Sequence, residues 1–398
     1  MGLFAIGRLA HGFAALMISC AGPNDGPSAG TAPFVLDGNR VYAVIDFLRP
    51  DGSSHRALAF VDMGSSAMSV SDSLFQELHL ATQPSVRFLV GSLPVSVPTS
   101  KLASERSVPH AVAGSKLRVE ATLPAGVLQK YQVVIDYQTR TLTLARVGSI
   151  TPAGVGVPFH LSTETGLAAV DATVDGQRYS LTVDNGSAYT WIRQSTVQGW
   201  LQTHPDWELG VGAIGPANMM MSGDSAETNG ILVRVPEIAV GSLTLTHVGA
   251  LGAGSLSGLP NGTSLFDWYS AKNAVPVVGW IGGNVLQRYR LTIDYNSHVM
   301  YFQKIAEADT RDLDRVGLVL RSDRGRYSVA SIATKKGAPM VAGVMPGDML
   351  IRIGDVPTLG ASWGTIYEAL GGKPGEHKQI VLERNGKQFS VTAKVVAF

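Results

Sequence analysis

Cysteine and charged residues are scarce in this chain of 398 residues, and each scarcity excludes a class of protein. The one cysteine, Cys20, rules out a disulfide within the chain. Charged residues make up 16% and hydrophobic residues 45%, a balance that argues against long disorder. The formal charge of +1 gives no electrostatic case for nucleic acid or an anionic membrane surface as partner. The composition is that of a folded chain, long enough for two or three domains.

The apolar stretch near the N-terminus, residues 9–18, has the length of a signal peptide rather than of a membrane span. It ends at residues 17–20, which resemble the lipobox of bacterial lipoproteins. That resemblance implies cleavage before Cys20 and lipidation of Cys20, hence an exported, periplasmic protein that contacts the membrane only through this anchor. A methionine stands where lipoboxes usually have leucine, so plain secretion stays open. We predict a signal peptide over residues 1–20 and a flexible tether, rich in Gly, Pro and Ser, over residues 21–33.

Glycine is abundant, at 45 residues, and Val, Thr and Ser recur in short runs, which predicts a mainly β chain with many tight turns. Residues 59–66 and 181–188 repeat one pattern, an apolar strand ending in an Asp-x-Gly-Ser turn. In each copy a short amphipathic helix with a Ser or Asp cap is expected next. Residues 127–137 and 285–295 form a second matched pair in the same order. Two correspondences in one order indicate a duplicated unit.

An apolar strand ending in Asp-x-Gly-Ser, present twice, resembles the paired active-site loops of the pepsin and retropepsin-like aspartic proteases. Residues 277–286 resemble the apolar-apolar-Gly element that precedes a short helix in that family. The resemblance spans residues 34–305 and implies a two-lobed β module, with lobe one over 34–150 and lobe two over 151–308. It also implies an aspartic endopeptidase that takes a polypeptide substrate in the cleft between the lobes and uses no cofactor and no metal.

Carried over onto this chain, the family's catalytic pair becomes Asp62 and Asp184. Two carboxylates that share one water cannot both ionise cheaply, so one keeps a proton while the other acts as base. A glycine two residues after each aspartate permits the tight turn that directs the carboxylates inward. The implied active-site loops comprise Gly64, Ser65, Asn185, Gly186 and Ser187.

Lobe one departs from the family pattern at two places. The residue after the first aspartate is Met63, which cannot make the hydroxyl hydrogen bond that Thr or Ser makes across the lobes. Asn185, its counterpart, offers a side-chain amide for that purpose. Residues 123–126 replace the apolar-apolar-Gly element by a version with proline. A non-catalytic peptide-binding protein of the same fold therefore stays open beside the protease.

A flap must close over a bound peptide, and we expect it around Gly210, Gly212 and Gly215, with a lobe-one counterpart near residues 88–97. These three glycines also match Gly-x-Gly-x-x-Gly. Dinucleotide binding is disfavoured because Pro216 and the residues after it show no helical periodicity.

The C-terminal residues 312–398 resemble a PDZ domain, most clearly in the Pro-Gly-Asp segment within residues 345–353. The resemblance implies a flanking helix at residues 365–370 and closing strands over residues 380–394. It also implies a peptide or protein C-terminus as partner, added as a strand. The loop that would hold the peptide's carboxylate is formed by Gly317, Leu318 and Val319.

Other chemical signals are weaker. The histidines show no compact metal-binding spacing, and a Gly-x-Ser-x-Gly match at residues 26–30 falls in the predicted tether. The chain lacks the Gly-Asn-Ser-Gly-Gly loop of trypsin-like periplasmic proteases that carry PDZ domains. Asp136 and Asp294 each end a strand and are expected to cap the following turn. Residues 219–221, three methionines, either line a cleft or fill the core.

Overall fold

A computed structural model describes residues 26–108, 110–256 and 264–398, and over these ranges the chain is mainly β. The predicted signal peptide and Cys20 lie outside the described residues. The strands form sheets of twelve, ten and six strands. Within the described ranges, no helix has both the length and the apolar character needed to span a membrane.

Lobe one is built from a strand meander that ends at the first Asp-x-Gly-Ser turn, followed by a helix, a hairpin and a returning strand. Its elements are β1 (Ala29–Asp37), β2 (Arg40–Leu48), β3 (Ser54–Asp62), α1 (Asp72–Glu77), β4 (Ser85–Val90), β5 (Leu93–Pro98), β6 (His110–Ala111), β7 (Arg118–Pro124), α2 (Ala125–Leu128), β8 (Gln132–Asp136) and β9 (Thr141–Ala145). The predicted cap of the first helix is confirmed, because the Ser71 hydroxyl accepts a hydrogen bond from Leu74 N.

The predicted tether is wrong over residues 29–33. These residues form the first half of β1 and pair antiparallel with β9, from Ala29 opposite Ala145 to Pro33 opposite Thr141. Local composition favoured a loop, but a partner strand more than 100 residues away decides the conformation.

Lobe two repeats the plan of lobe one and carries more elements. Its elements are β10 (Val155–Pro158), β11 (His160–Leu161), β12 (Ala168–Val174), β13 (Gln177–Val183), β14 (Thr190–Arg193), α3 (Gln194–Thr203), β15 (Glu208–Val211), α4 (Ser225–Thr228), β16 (Ile231–Val240), β17 (Leu243–Ala253), α5 (Leu265–Ser270), β18 (Gly279–Ile281), α6 (Gly283–Leu286), β19 (Tyr289–Asp294) and β20 (Val299–Lys304). The predicted polar cap is absent from α3, which begins after Arg193 with no side-chain cap.

The two lobes are joined by a shared sheet in the order β1-β9-β8-β19-β20-β10. At its centre β8 pairs antiparallel with β19, so that Val134 lies opposite Thr292. The second matched pair of sequence segments therefore lies across the boundary between the lobes, related by an approximate two-fold axis. The turn-capping prediction is confirmed, because Asp136 Oδ1 accepts from Gln138 N and Asp294 Oδ1 accepts from Asn296 N, both at 3.0 Å.

The C-terminal unit is a six-stranded sheet with one helix. Its elements are β21 (Leu318–Asp323), β22 (Arg326–Ile332), β23 (Thr334–Lys335), β24 (Ala338–Pro339), β25 (Met349–Ile353), β26 (Val356–Pro357), α7 (Trp363–Leu370), β27 (His377–Arg384) and β28 (Lys387–Lys394). The helix expected over residues 365–370 is present as α7. The short strands β23 and β24 instead extend the sheet of lobe two, where Thr334 pairs with Val211. The C-terminal unit is thus joined to lobe two by strand pairing as well as by the chain connection.

Candidate active site

Two parallel strand pairs deliver the two aspartates. β3 ends at Asp62 and runs parallel to β7, and β13 ends just before Asp184 and runs parallel to β18. In each turn the second residue after the aspartate donates its amide to the carboxylate, Gly64 N to Asp62 Oδ1 at 2.9 Å and Gly186 N to Asp184 Oδ1 at 2.8 Å. The repeat in the sequence is therefore a repeat in hydrogen bonding.

The returning strands hold both turns in the same way. Ala125 N donates to Ser65 O at 2.9 Å in lobe one, and Gly283 N donates to Ser187 O at 2.7 Å in lobe two. Residues 123–126, which depart from the family pattern, thus make the contact that their lobe-two counterpart makes. The proline does not disturb it, because the donor is the next residue along the chain.

The two turns lie against each other. A Cβ placed on Gly64 would overlap the carboxylate of Asp184, and one placed on Gly186 would overlap the carboxylate of Asp62. Each carboxylate therefore lies directly on the glycine of the opposite turn, where a larger residue would displace it. The structure brings together Asp62, Asp184, Gly64 and Gly186 as the sequence predicts.

Of the two hydrogen bonds expected between the residues that follow the aspartates, one is present despite Met63. Met63 N donates to Asn185 Oδ1 at 3.0 Å, so the side-chain carbonyl oxygen of the asparagine binds lobe one. Met63 returns no bond, and its side chain is buried in the main hydrophobic core instead. Asn185 Nδ2 is buried without a hydrogen-bond partner in the described part of the chain. Apolar packing of the Met63 side chain takes the place of the second hydrogen bond.

The carboxylates occupy different electrostatic environments. Burial, followed by the charge of Asp184, raises the pKa of Asp62 to about 7. Burial also raises the pKa of Asp184, but hydrogen bonds from the Ser187 hydroxyl and the Gly186 amide oppose that rise. The Ser187 Oγ donates to Asp184 Oδ2 at 2.6 Å, whereas the Ser65 Oγ donates to the backbone carbonyl of Asp62 at 3.4 Å and is a smaller cause that lowers the pKa of Asp62. The donors therefore favour the charged form at Asp184 and leave the shared proton on Asp62.

Two side chains that no sequence motif marked anchor the turns. Tyr269, on α5, donates its hydroxyl to Gly64 O at 3.0 Å. Arg40, buried at the start of β2, donates Nε to Gly186 O at 2.8 Å and lowers the pKa of both aspartates by its charge. Both lie far from the turns in sequence and belong to no repeat, so only the folded chain reveals them.

The glycines predicted for the lobe-two flap lie in a packed contact. A Cβ on Gly210 would meet Thr334 O, and one on Gly215 would overlap the Arg315 side chain. Gly212, at a φ of 98°, lies against Ala333. These positions are enclosed by the C-terminal unit, so the structure does not bear out a free flap there.

The lobe-one hairpin predicted near residues 88–97 exists as β4 and β5. β4 pairs with β2, and Gly91 at the hairpin tip packs on the backbone of Thr31 in β1. The tip is thus fastened to the lobe's own sheet.

The predicted carboxylate loop of the C-terminal unit lies at the start of β21. Leu318 and Val319 are buried, and Leu318 N donates to Val316 O at 2.8 Å. Gly317 O accepts from Ala333 N at 3.0 Å.

In the described ranges, no three His, Cys, Asp or Glu side chains are grouped so as to hold a metal ion.

Comparison with known proteins gives a distant likeness in fold. No protein-family model matches the chain, and no curated protein matches its sequence. The structure is similar to the aspartic proteinase from Irpex lacteus, with a TM-score of 0.42 and 11% identity over 69% of this chain and 97% of that chain. It is also similar to basic 7S globulin from soybean, with a TM-score of 0.39 and 9% identity over 70% of this chain and 95% of that chain. Likeness at this level of identity concerns the fold alone.

Proposed function

We propose that the chain is an aspartic endopeptidase in which Asp62 and Asp184 activate one water. The observation that carries the proposal is the reciprocal contact of the two turns, in which each carboxylate lies on the glycine of the other lobe. A pair of buried carboxylates with unequal donors is the arrangement that acid–base catalysis at a peptide bond requires.

The unequal donors assign the roles. Asp184, with Ser187 and Gly186 as donors, is the charged base that takes a proton from the water as its oxygen attacks the peptide carbonyl carbon. Asp62 carries the proton and donates it to the carbonyl oxygen, which gives a tetrahedral diol. Asp184 then passes its proton to the amide nitrogen, the C–N bond breaks, and Asp62 recovers a proton from the diol hydroxyl. Each aspartate ends in the state in which it began.

A second candidate is a non-catalytic peptide-binding protein. It is favoured by the missing hydrogen bond between the lobes: the Met63 side chain makes none, and Asn185 Nδ2 has no partner in the described ranges. Looser turns would allow the carboxylates to move relative to each other, and catalysis is sensitive to displacements of about 1 Å.

Two further assignments rest on sequence resemblance. We propose that the C-terminal unit binds a peptide or protein C-terminus in the manner of a PDZ domain, with Gly317, Leu318 and Val319 facing the carboxylate. We also propose that the protein is exported to the periplasm and anchored through a lipid on Cys20. Incorporation of labelled palmitate, lost in a Cys20→Ser variant, would support the anchor, and unchanged labelling would argue against it.

Cleavage of an unfolded, reduced and alkylated protein by the full chain tests the catalytic proposal, over a range from about pH 3 to about pH 8. The parent is compared with Asp62→Asn and Asp184→Asn, and Asp294→Asn serves as matched control because that carboxylate belongs to neither active-site turn: it caps a later turn and accepts from Gln132 Nε2. We expect both site variants to lose cleavage while the control keeps it, with circular dichroism unchanged in all. A folded parent that cleaves at no pH would favour the binding protein.

A further inference from the structure

The outer edge of the six-stranded sheet forms a cleft with α7. β21 is the end strand of that sheet and pairs with β22 on one side. Ile366, Tyr367 and Leu370 of α7 belong to the same hydrophobic cluster as Leu318 and Leu320 of β21. Strand edges beside a helix can accept an extended peptide as an added strand. We call this space the β21–α7 cleft.

A segment of lobe two, residues 218–222, occupies the cleft. Leu320 N donates to Asn218 Oδ1 at 2.6 Å, and Ser322 N donates to Met221 O at 2.8 Å. On the helix side, the hydroxyl of Tyr367 donates to Asn218 O at 3.0 Å. Leu320 and Ser322 are two residues apart, so their amides point to the same edge of β21. Both are taken by lobe two.

Met221 supplies the apolar contact that an added peptide would make. It is 1% exposed and is the one residue outside 316–395 in the described hydrophobic cluster of the C-terminal unit. Its φ of 45° is costly for a residue with a side chain, so the surroundings must hold it in place.

Glu227, fully buried on α4, holds the segment in its arched shape. Its Oε1 accepts from Met220 N at 2.9 Å and from Met221 N at 3.1 Å. Its Oε2 accepts from Ser222 N at 2.9 Å. Three successive amides on one carboxylate fix the bend that turns Met221 toward the C-terminal unit while Met220 stays 40% exposed.

We infer that residues 218–222 are an internal ligand of the β21–α7 cleft, and that a peptide binds there only by displacing them. The inference rests on the proposed peptide binding by the C-terminal unit. A peptide whose carboxylate lies at residues 317–319 would run antiparallel to β21, whereas the internal segment runs parallel to it. Both need the amides of Leu320 and Ser322, so only one is bound at a time.

Displacement also reaches the active-site turn of lobe two. Met219 O, in the second residue of the segment, accepts a hydrogen bond at 2.6 Å from Arg40, whose Nε donates to Gly186 O. The Arg40 guanidinium lies 4.7 Å from the ring centre of Trp363 on α7. A peptide that removes residues 218–222 removes one of the groups that fix Arg40. Binding in the cleft is thereby linked to the turn that carries Asp184.

The first test measures amide exchange at single residues in the full chain. In Met221→Asp the buried slot receives a charge, so the segment should leave and the amides of Leu320 and Ser322 should exchange at least about tenfold faster. Arg321 and Asp323, whose amides face β22, should keep the parent's exchange rates and serve as internal controls. Met220→Asp, at the exposed neighbouring position, should exchange like the parent. Unchanged exchange in Met221→Asp would overturn the inference.

The second test measures binding of a fluorescein-labelled peptide that ends in valine with a free carboxylate. The binding-competent fraction limits apparent affinity, so opening the cleft should tighten binding about tenfold or more in Met221→Asp relative to the parent and to Met220→Asp. Glu227→Gln, which weakens the anchor without altering the cleft, gives the same direction if Met221→Asp does not fold. Equal affinity in all variants would overturn the internal ligand and leave peptide binding intact. No binding by any variant would overturn both, while cleavage of the unfolded substrate is scored separately.

Discussion

Replacing Asp62 by asparagine should stabilise the folded chain at neutral pH. The pKa of this carboxyl is raised from 3.8 to about 7 by burial and by the charge of Asp184. A carboxyl with a raised folded pKa contributes its full stability below pH 3.8, and that contribution is lost as the pH rises through about 7. The parent therefore carries a cost above neutral pH that the amide avoids.

The size of the effect follows from the two pKa values. At about 1.4 kcal/mol for each pH unit between them, the cost grows by about 3 kcal/mol between pH 5 and pH 8. The free energy of unfolding of Asp62→Asn should accordingly rise by about 3 kcal/mol relative to the parent between these two conditions.

Urea unfolding at pH 5 and pH 8, followed by two independent probes, measures the difference. Asp294→Asn is the control, because Asn keeps an oxygen to accept from Asn296 N, and its difference from the parent should change by no more than about 0.5 kcal/mol between pH 5 and pH 8. If the gap between Asp62→Asn and the parent does not widen from pH 5 to pH 8, Asp62 is not a buried carboxyl beside a second charge. The geometry of the site would then be wrong, whatever the chain cleaves.

Three further outcomes are expected. Peptide cleavage should fall as the pH rises through about 7, because Asp62 then loses the proton it must donate. A pH–rate profile that stays flat to pH 9 would contradict this role. Gly186→Ala should abolish cleavage, since its Cβ overlaps the Asp62 carboxylate, while Gly199→Ala, with open space around it, should leave kcat unchanged. Arg40→Lys should lower kcat roughly tenfold to a hundredfold with little change in KM, because an ammonium cannot hold Gly186 O and Met219 O in the same fixed geometry. A loss of kcat that only follows the loss of unfolding free energy at every pH would instead indicate a merely structural role.

The sequence predicts well the features that lie in its duplicated segments. The ends of β3 and β13, the two Asp-x-Gly-Ser turns and the crossing of β8 with β19 all follow from matched segments. A repeated pattern implies a repeated local structure, and two copies must meet at an approximate two-fold axis. The dyad is therefore readable from one chain.

What the sequence hides are contacts between segments that share no pattern. The glycines of residues 210–215 read as a mobile loop because nothing local shows that the C-terminal unit covers them. The three methionines were open between cleft and core, and the structure divides them: Met219 and Met221 are buried, each in a different cluster, and Met220 is exposed. Arg40 and Tyr269 carry no motif, since each acts on a backbone carbonyl that any residue would present.

The supports of the two turns explain how a methionine after the first aspartate is compatible with a working dyad. The lost hydroxyl bond would have tied Met63 to lobe two, yet the neighbouring Gly64 O is already tied to lobe two by the Tyr269 hydroxyl. In the other direction, Gly186 O is tied to lobe one by Arg40 and Met63 N to Asn185. Three hydrogen bonds thus cross between the lobes within two residues of the aspartates, so the turns stay in register without the fourth. The Ser187 hydroxyl donates to the Asp184 carboxylate, whereas the charge of Arg40 lowers the pKa of both carboxyls, so the hydroxyl is what favours Asp184 as the charged partner.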